Sequence, residues 1–128
     1  MAFSFEDLKV YKAAINWNDN ITQILDDLGS HCSRSLRDQM ERASLSIPLN
    51  IAEGNGRWHK GEKRQFFWIS RGSTFECVAI LQVMARRGLL TDSVVGNLYD
   101  QLSEISKMLS ALIKSVDRLK DRPGSTSS

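Results

Sequence analysis

Pro48 stands three turns into residues 39–54, QMERASLSIPLNIAEG, a segment that otherwise reads as helix. Proline offers no N–H to the carbonyl of Ser44, and its ring crowds that carbonyl, so an isolated helix breaks or kinks here. A chain that carries such a residue needs neighbouring helices to hold the segment in place. The feature points to a small helical bundle, and the exit from the segment, residues 55–60 (NGRWHK), gives that bundle a basic end.

Apolar spacing supplies the neighbours. A first helix is expected over residues 5–28, with one stripe of Val10, Ala14, Trp17, Ile21, Ile24 and Leu28 and a second of Leu8, Tyr11, Ile15 and Leu25. Two stripes make a wider apolar face than a surface helix needs. The second helix is expected over 33–55, capped by Ser33 or Ser35. Its seam of Leu36, Met40, Ala43, Ile47, Asn50 and Gly54 has heptad-like spacing, and Gly54 and Gly56 are expected to stop it. The third, over 62–87, has a seam of Phe66, Ile69, Ser73, Glu76, Ile80 and Val83. Gly72 costs roughly 1 kcal/mol in a helix middle, which close approach of another backbone would offset. Phe66, Phe67 and Trp68 point about 100° apart, so one core cannot take all three. The fourth helix, over 92–120 and capped by Thr91 or Asp92, alternates threes and fours through Val95, Leu98, Leu102, Ile105, Leu109, Leu112, Val116 and Leu119. Four long helices with short connections predict an all-α, antiparallel up-down-up-down four-helix bundle. It forms one domain over residues 1–120, followed by a polar tail, 121–128, expected to be disordered.

The up-down order places the 57–60 loop beside both chain termini. The second and third helices form a hairpin centred near residue 59, so Arg42 and Glu76 come out level, and Glu53 falls near the loop. Arg42, Asn50, Glu53 and Glu76 are read as a structural polar core. Glu76 is expected to be mostly buried, bonded to Arg42 or Asn50, and to fix register. The alternative is a set of surface ion pairs of little energetic value.

Composition excludes more than it assigns. The chain has 128 residues, enough for a single core, and a net charge of +2, so a nucleic-acid argument must rest on local clustering. No run approaches a membrane span of about 20 apolar residues, and no secretory signal is read at the N-terminus. Cys32 and Cys77 lack metal-type spacing and are read as reduced thiols of a cytoplasmic protein. His31 and His59 are expected at opposite ends, and neither belongs to a Glu-x-x-His pair. Gly54-Asn55-Gly56 lacks the later glycine and preceding strand of a dinucleotide motif. No nucleophile is placed beside a base, so the expectation is a non-enzymatic protein with no cofactor and no metal.

Three segments resemble a known family. Residues 5–10, FEDLKV, with Lys12-Ala13 are similar to its opening. Residues 42–57, RASLSIPLNIAEGNGR, are similar to its central signature, and residues 71–76, RGSTFE, to its third-helix motif. The family is the four-helix-bundle proteins of the 23S ribosomal RNA intervening-sequence type, whose genes were first met inside insertions in bacterial large-subunit ribosomal RNA. A similar fold serves as the accessory protein of diversity-generating retroelements. The resemblance spans about residues 5–120. It implies an antiparallel four-helix bundle that assembles as a ring, typically a homopentamer, and association with nucleic acid. It implies no catalytic residues, and most members have no assigned function. The chain departs from the pattern at Phe75 and Cys77, which flank Glu76 where smaller or aliphatic residues are usual.

Two functions follow as expectations. In the first, the protein is an oligomeric scaffold that binds RNA or DNA through a basic rim. Arg57, Lys60, Lys63 and Arg64 crowd one end with only Glu62 opposing them. Lys114, Arg118, Lys120 and Arg122 join by topology, partly offset by Asp117 and Asp121. Trp58 and His59 are placed to stack on bases. The plain alternative is a solvated charged loop. In the second, the protein is an adaptor for another protein, without nucleic-acid binding, and surplus apolar surface receives the partner. Trp17, Phe67 and Trp68 are the expected oligomer-interface residues. The surplus would be covered by a two-fold dimer, or by a heterologous contact in which the first helix meets a neighbour's third-helix aromatics and a ring closes.

Overall fold

The computed structural model describes residues 3–119; Lys120 and the tail, 121–128, lie outside the described residues. The described residues form four helices and no strand: α1 (Lys9–Leu28), α2 (Arg34–Asn55), α3 (Lys60–Arg86) and α4 (Asp92–Asp117). α1 and α3 each pack against both α2 and α4, the arrangement of a four-helix bundle. Cross-helix bonds fix the antiparallel order. Asn18 meets Ser44 while Arg37 reaches the Leu25 carbonyl, Ser46 meets Ser73 while Arg42 meets Glu76, and Arg71 meets Ser110 while Arg64 meets Asp117, so in each pair the chain climbs one helix as it descends the other.

Local chemistry sets the ends. The first helix does not begin at residue 5: Ser4–Asp7 form a 3-10 turn, closed by the Phe3 N–H on Glu6 Oε1 at 3.0 Å, and Leu8 is extended before α1 starts. Gly29, at φ 52° and ψ −128°, takes a positive-φ conformation open to glycine and closes α1, its N–H donating to the Leu25 carbonyl. Ser33 rather than Ser35 caps α2, its hydroxyl accepting from the Leu36 N–H at 3.2 Å. Thr91 does the same for Val94 at the start of α4.

The core is continuous through Trp17, Ile21 and Leu25 of α1, Met40, Ile47 and Ile51 of α2, Leu81 and Met84 of α3, and Leu102, Ile105 and Leu109 of α4. Of the stripes expected of α1 and α4, Val10, Ala14, Trp17, Ile21, Leu98, Leu102, Ile105, Leu109 and Val116 turn inward; Ile24, Leu28, Val95 and Leu112 are half-buried, Leu25 and Ile113 are buried beside them, and Leu119 is exposed. The α3 seam is rotated by one residue. Phe67, Ser70, Thr74, Cys77, Leu81 and Met84 face inward with Ser73 and Ile80, while Ile69 and Val83 are exposed. The small polar residues are admitted because helix carbonyls satisfy them. The Ser70 hydroxyl donates to the Ile47 carbonyl at 2.8 Å, and Thr74 Oγ1 donates to the Ser70 carbonyl at 2.9 Å.

The same bonds hold the proline segment. Pro48 is buried inside an uninterrupted α2. Beside it, Ser70 of α3 caps the Ile47 carbonyl. The Asn50 amide donates to the Ser46 carbonyl and hydroxyl, and Ser46 is bonded to Ser73 of α3. The neighbouring helix therefore supplies polar partners to Ser46 and Ile47, the two residues before Pro48, and Asn50 adds one from within α2. Gly54 does not stop the helix; it is buried within it. A Cβ there would lie 2.7 Å from Phe67 Cε1 and 3.0 Å from Phe66 Cβ, so only glycine lets the aromatic pair of α3 approach α2 so closely. Gly72 lacks the close backbone approach expected for it, since a Cβ built there meets nothing within 4 Å.

Candidate functional site

The end of α2, the loop after it and the start of α3 bring Arg57, Trp58, His59, Lys60, Lys63 and Arg64 together, as the order of the helices requires. Arg118 lies just beyond α4 and is exposed. Lys120 lies outside the described residues. Trp58 is 53% exposed. His59 is half-buried at the N-cap of α3, its Nδ1 enclosed without a hydrogen bond, so it is less open to solvent than Trp58.

Arg57, Lys60, Lys63 and Arg64 are opposed by more than the Glu62 expected for them. Arg57 Nη2 is 3.0 Å from Glu53 Oε2, and its Nη1 is 4.0 Å from Glu62 Oε2. The Arg57 guanidinium also lies 4.7 Å over the Phe66 ring. Arg64 Nη1 is 2.9 Å from Asp117 Oδ1, and Lys63 Nζ donates to the Asn55 carbonyl at 2.8 Å. Three carboxylates from α2, α3 and α4 therefore sit among the basic groups. Glu53 and Glu62 are legible in the sequence as i±4 and loop neighbours of Arg57. The Arg64–Asp117 pair depends on the α3–α4 register, which spacing does not supply.

The expected polar core divides in two. Asn50 belongs to an interior set with Ser46 and Ser73. Arg42 does bond Glu76, as the hairpin register requires, but the pair is not buried: the two side chains are 64% and 37% exposed. Rotation of the α3 seam carries Glu76 out of the core. A pair this exposed contributes about 0–1 kcal/mol, so it marks register rather than anchoring an interior network. Glu53 is also at the surface.

Two of the three expected interface residues lie inside the bundle. Trp17 and Phe67 are fully buried, and only Trp68 is exposed. The second stripe of α1 is largely consumed by the subunit itself: Leu25 is buried, Leu8 and Tyr11 pack half-buried on the core, and Ile15 alone is exposed. The largest share of the exposed apolar side chains of the helices lies on α2 and α3, where Leu45, Leu49, Trp68, Ile69, Phe75 and Val83 are exposed, with Ile15 of α1 and Tyr99 of α4 exposed elsewhere. Arg71 lies within it, its guanidinium 5.2 Å from the Trp68 ring and 4.3 Å from the Phe75 ring, with Nε donating to Ser110 Oγ at 3.1 Å. Leu45 and Leu49 fall off the α2 seam and, at i,i+4, share one outward face, a signal available in the sequence.

The buried thiol of Cys77 is not a nucleophile. Burial pushes it up to about 12, while the nearby Trp17 indole lowers it only in part, so it stays protonated at neutral pH. The Trp17 Nε1 has no hydrogen bond of normal geometry, so its contact with the sulfur is a weak one. The folded state therefore holds this proton more tightly than the unfolded chain, whose thiol has the ordinary value of 9.0. The contribution is complete below pH 9 and is lost as pH rises from 9 towards 12, at up to about 1.4 kcal/mol per pH unit. Urea denaturation from pH 7 to 10.5 is expected to show that decline, and Cys77→Ala to remove its share of the slope.

Among the described residues no group of His, Cys, Asp and Glu is placed to hold a metal ion, and no helix is long and apolar enough to cross a membrane. Comparison with curated proteins gives no match. Among solved structures the chain is similar to a Bacteroides thetaiotaomicron protein of unknown function from the S23 ribosomal protein family. The two align with a TM-score of 0.76 and 18% identity over 82% of this chain and 95% of that one, a likeness of fold. The family model described as 23S rRNA-intervening sequence protein matches residues 6–111, which include the central signature, the α3 motif and the hairpin joining them. On that match, the chain belongs to the 23S rRNA-intervening sequence protein family.

Proposed function

We propose that this protein is a non-enzymatic, self-assembling scaffold that contacts RNA or DNA through the end bearing Trp58 and its surrounding cations. The observation that carries assembly is the α2–α3 apolar face, which a lone subunit leaves in water. What supports nucleic acid is the exposed Trp58 ring amid Arg57, Lys60, Lys63, Arg64 and Arg118, an aromatic set in a basic surround. Assembly multiplies that interaction: each subunit adds a copy of the same end, and linked copies gain avidity without new chemistry. The family resemblance implies a ring, with five as its number.

Because Glu53, Glu62 and Asp117 sit among the cations, attraction to phosphate is modest and stacking carries a larger share. The native protein is expected to bind single-stranded RNA and DNA at low salt with a shallow salt slope and little sequence preference. Neutralising Arg57, Lys60, Lys63 and Arg64 together is expected to weaken binding and reduce the slope by roughly one for each phosphate that is no longer neutralised. Fluorescence anisotropy across a salt series measures both. The paired cations also favour a second reading, an adaptor for another protein whose rim is only a solvated charged surface. Absence of RNA or DNA binding by the native protein at low salt would select it.

A further inference from the structure

Gly72 is unexplained by the subunit that contains it. It lies in the middle of the 27-residue α3, where glycine weakens a helix relative to alanine. It is exposed, and a Cβ at this position meets nothing within 4 Å, so neither a turn nor an internal contact requires it. Its helical neighbours at i±3 and i±4 are Ile69, Trp68, Phe75 and Glu76. The gap left by the missing side chain therefore sits among three exposed apolar side chains. Ala79, two turns on and also exposed, continues the low strip.

We infer that a helix of a second copy of this chain crosses α3 over Gly72, using the glycine as the point of closest approach. The inference rests on the assembly reading above and names where the copies meet. A second copy fits for two reasons. The six exposed side chains Leu45, Leu49, Trp68, Ile69, Phe75 and Val83 present on the order of 500 Å² of apolar surface, most of the roughly 800 Å² that each partner gives to a standard interface. The charges on the face are accommodated within the subunit, Arg42 by Glu76 and Arg71 by the Trp68 and Phe75 rings, so neither cation needs a carboxylate from a different protein. Copies that meet by this face need only the residues already on it.

The test uses opposite signs. Gly72→Ala is expected to raise the melting temperature of the dissociated subunit by about 3–5 °C, because alanine favours helix. The same change is expected to raise the dissociation constant of the assembly at least tenfold, because the methyl group holds the crossing helix away. Gly96→Ala is the control: this α4 glycine also has open space around it, and its replacement is expected to leave the dissociation constant unchanged. Sedimentation equilibrium of the full chain reads the constant, and circular dichroism at high dilution reads the subunit. An unchanged dissociation constant for Gly72→Ala overturns the inference while leaving assembly intact. Equal weakening by Gly96→Ala also overturns it. A native protein that stays monomeric overturns the assembly reading and this inference together.

Discussion

Trp17→Ala and Phe67→Ala are each expected to destabilise the subunit by about 3–5 kcal/mol, the range for truncating a large buried aromatic. Trp17 is wholly inaccessible between α1 and the rest of the core, and Phe67 is 1% exposed, packed on Ile113 and Val116 and against Gly54. Domains of this size have about 5–15 kcal/mol in total, so either change consumes a large part of the margin. Destabilisation of this size corresponds to a fall in melting temperature of the order of 10–20 °C. The measurement separates core from interface. A core residue lowers the melting temperature of the dissociated subunit, whereas an interface residue lowers only the stability of the assembly. Near-native melting of either variant at high dilution would contradict the burial of that side chain.

What the sequence discloses, and what it hides, follows from the kind of signal each residue carries. α4 is legible because its core positions are nearly all Leu, Ile or Val, and a single apolar stripe has one inward direction. Spacing misplaces the α3 seam by one residue because the inward face carries Ser70, Ser73 and Thr74, which look like surface. Their hydroxyls are satisfied by helix carbonyls and by Ser46, and that exchange cannot be read from spacing alone. The same one-residue rotation explains three outcomes together: Phe67 turns inward, Glu76 turns outward, and Ile69 and Val83 join the exposed face. The Arg42–Glu76 pair is unaffected because it depends on distance from the hairpin turn rather than on which way the helix faces. The basic end is legible as a cluster, since it is local in sequence, and Asp117 is placed beside it by topology, but its direct pairing with Arg64 is not legible, since that depends on the α3–α4 register. Gly54 reads as a stop because glycine usually is one near a helix end; the reason for it lies across the bundle, in Phe66 and Phe67.

The largest effect on assembly is expected from Leu49→Glu combined with Ile69→Glu. Both side chains are about half exposed, one on α2 and the other on α3, so the subunit has little to lose from either change. Burying the exposed half of such a side chain is worth of the order of 1 kcal/mol, and an unpaired carboxylate in its place must be desolvated at several times that. With the substitution present in every copy, the dissociation constant is expected to rise by at least about 100-fold, since each 1.4 kcal/mol is a factor of ten. Light scattering at micromolar concentration should then report an oligomer for the native chain and a monomer for the variant, with melting of the dissociated subunit within about 2–4 °C of native. The mass of the native species also bears on symmetry. Five copies would accord with the ring implied by the resemblance. Two would keep the face as an interface but make it isologous, each copy meeting the same surface on the other. If the variant assembles as the native chain does, the α2–α3 face is not where the copies meet. The exposed apolar side chains would then be left for a different protein partner, which is the adaptor reading.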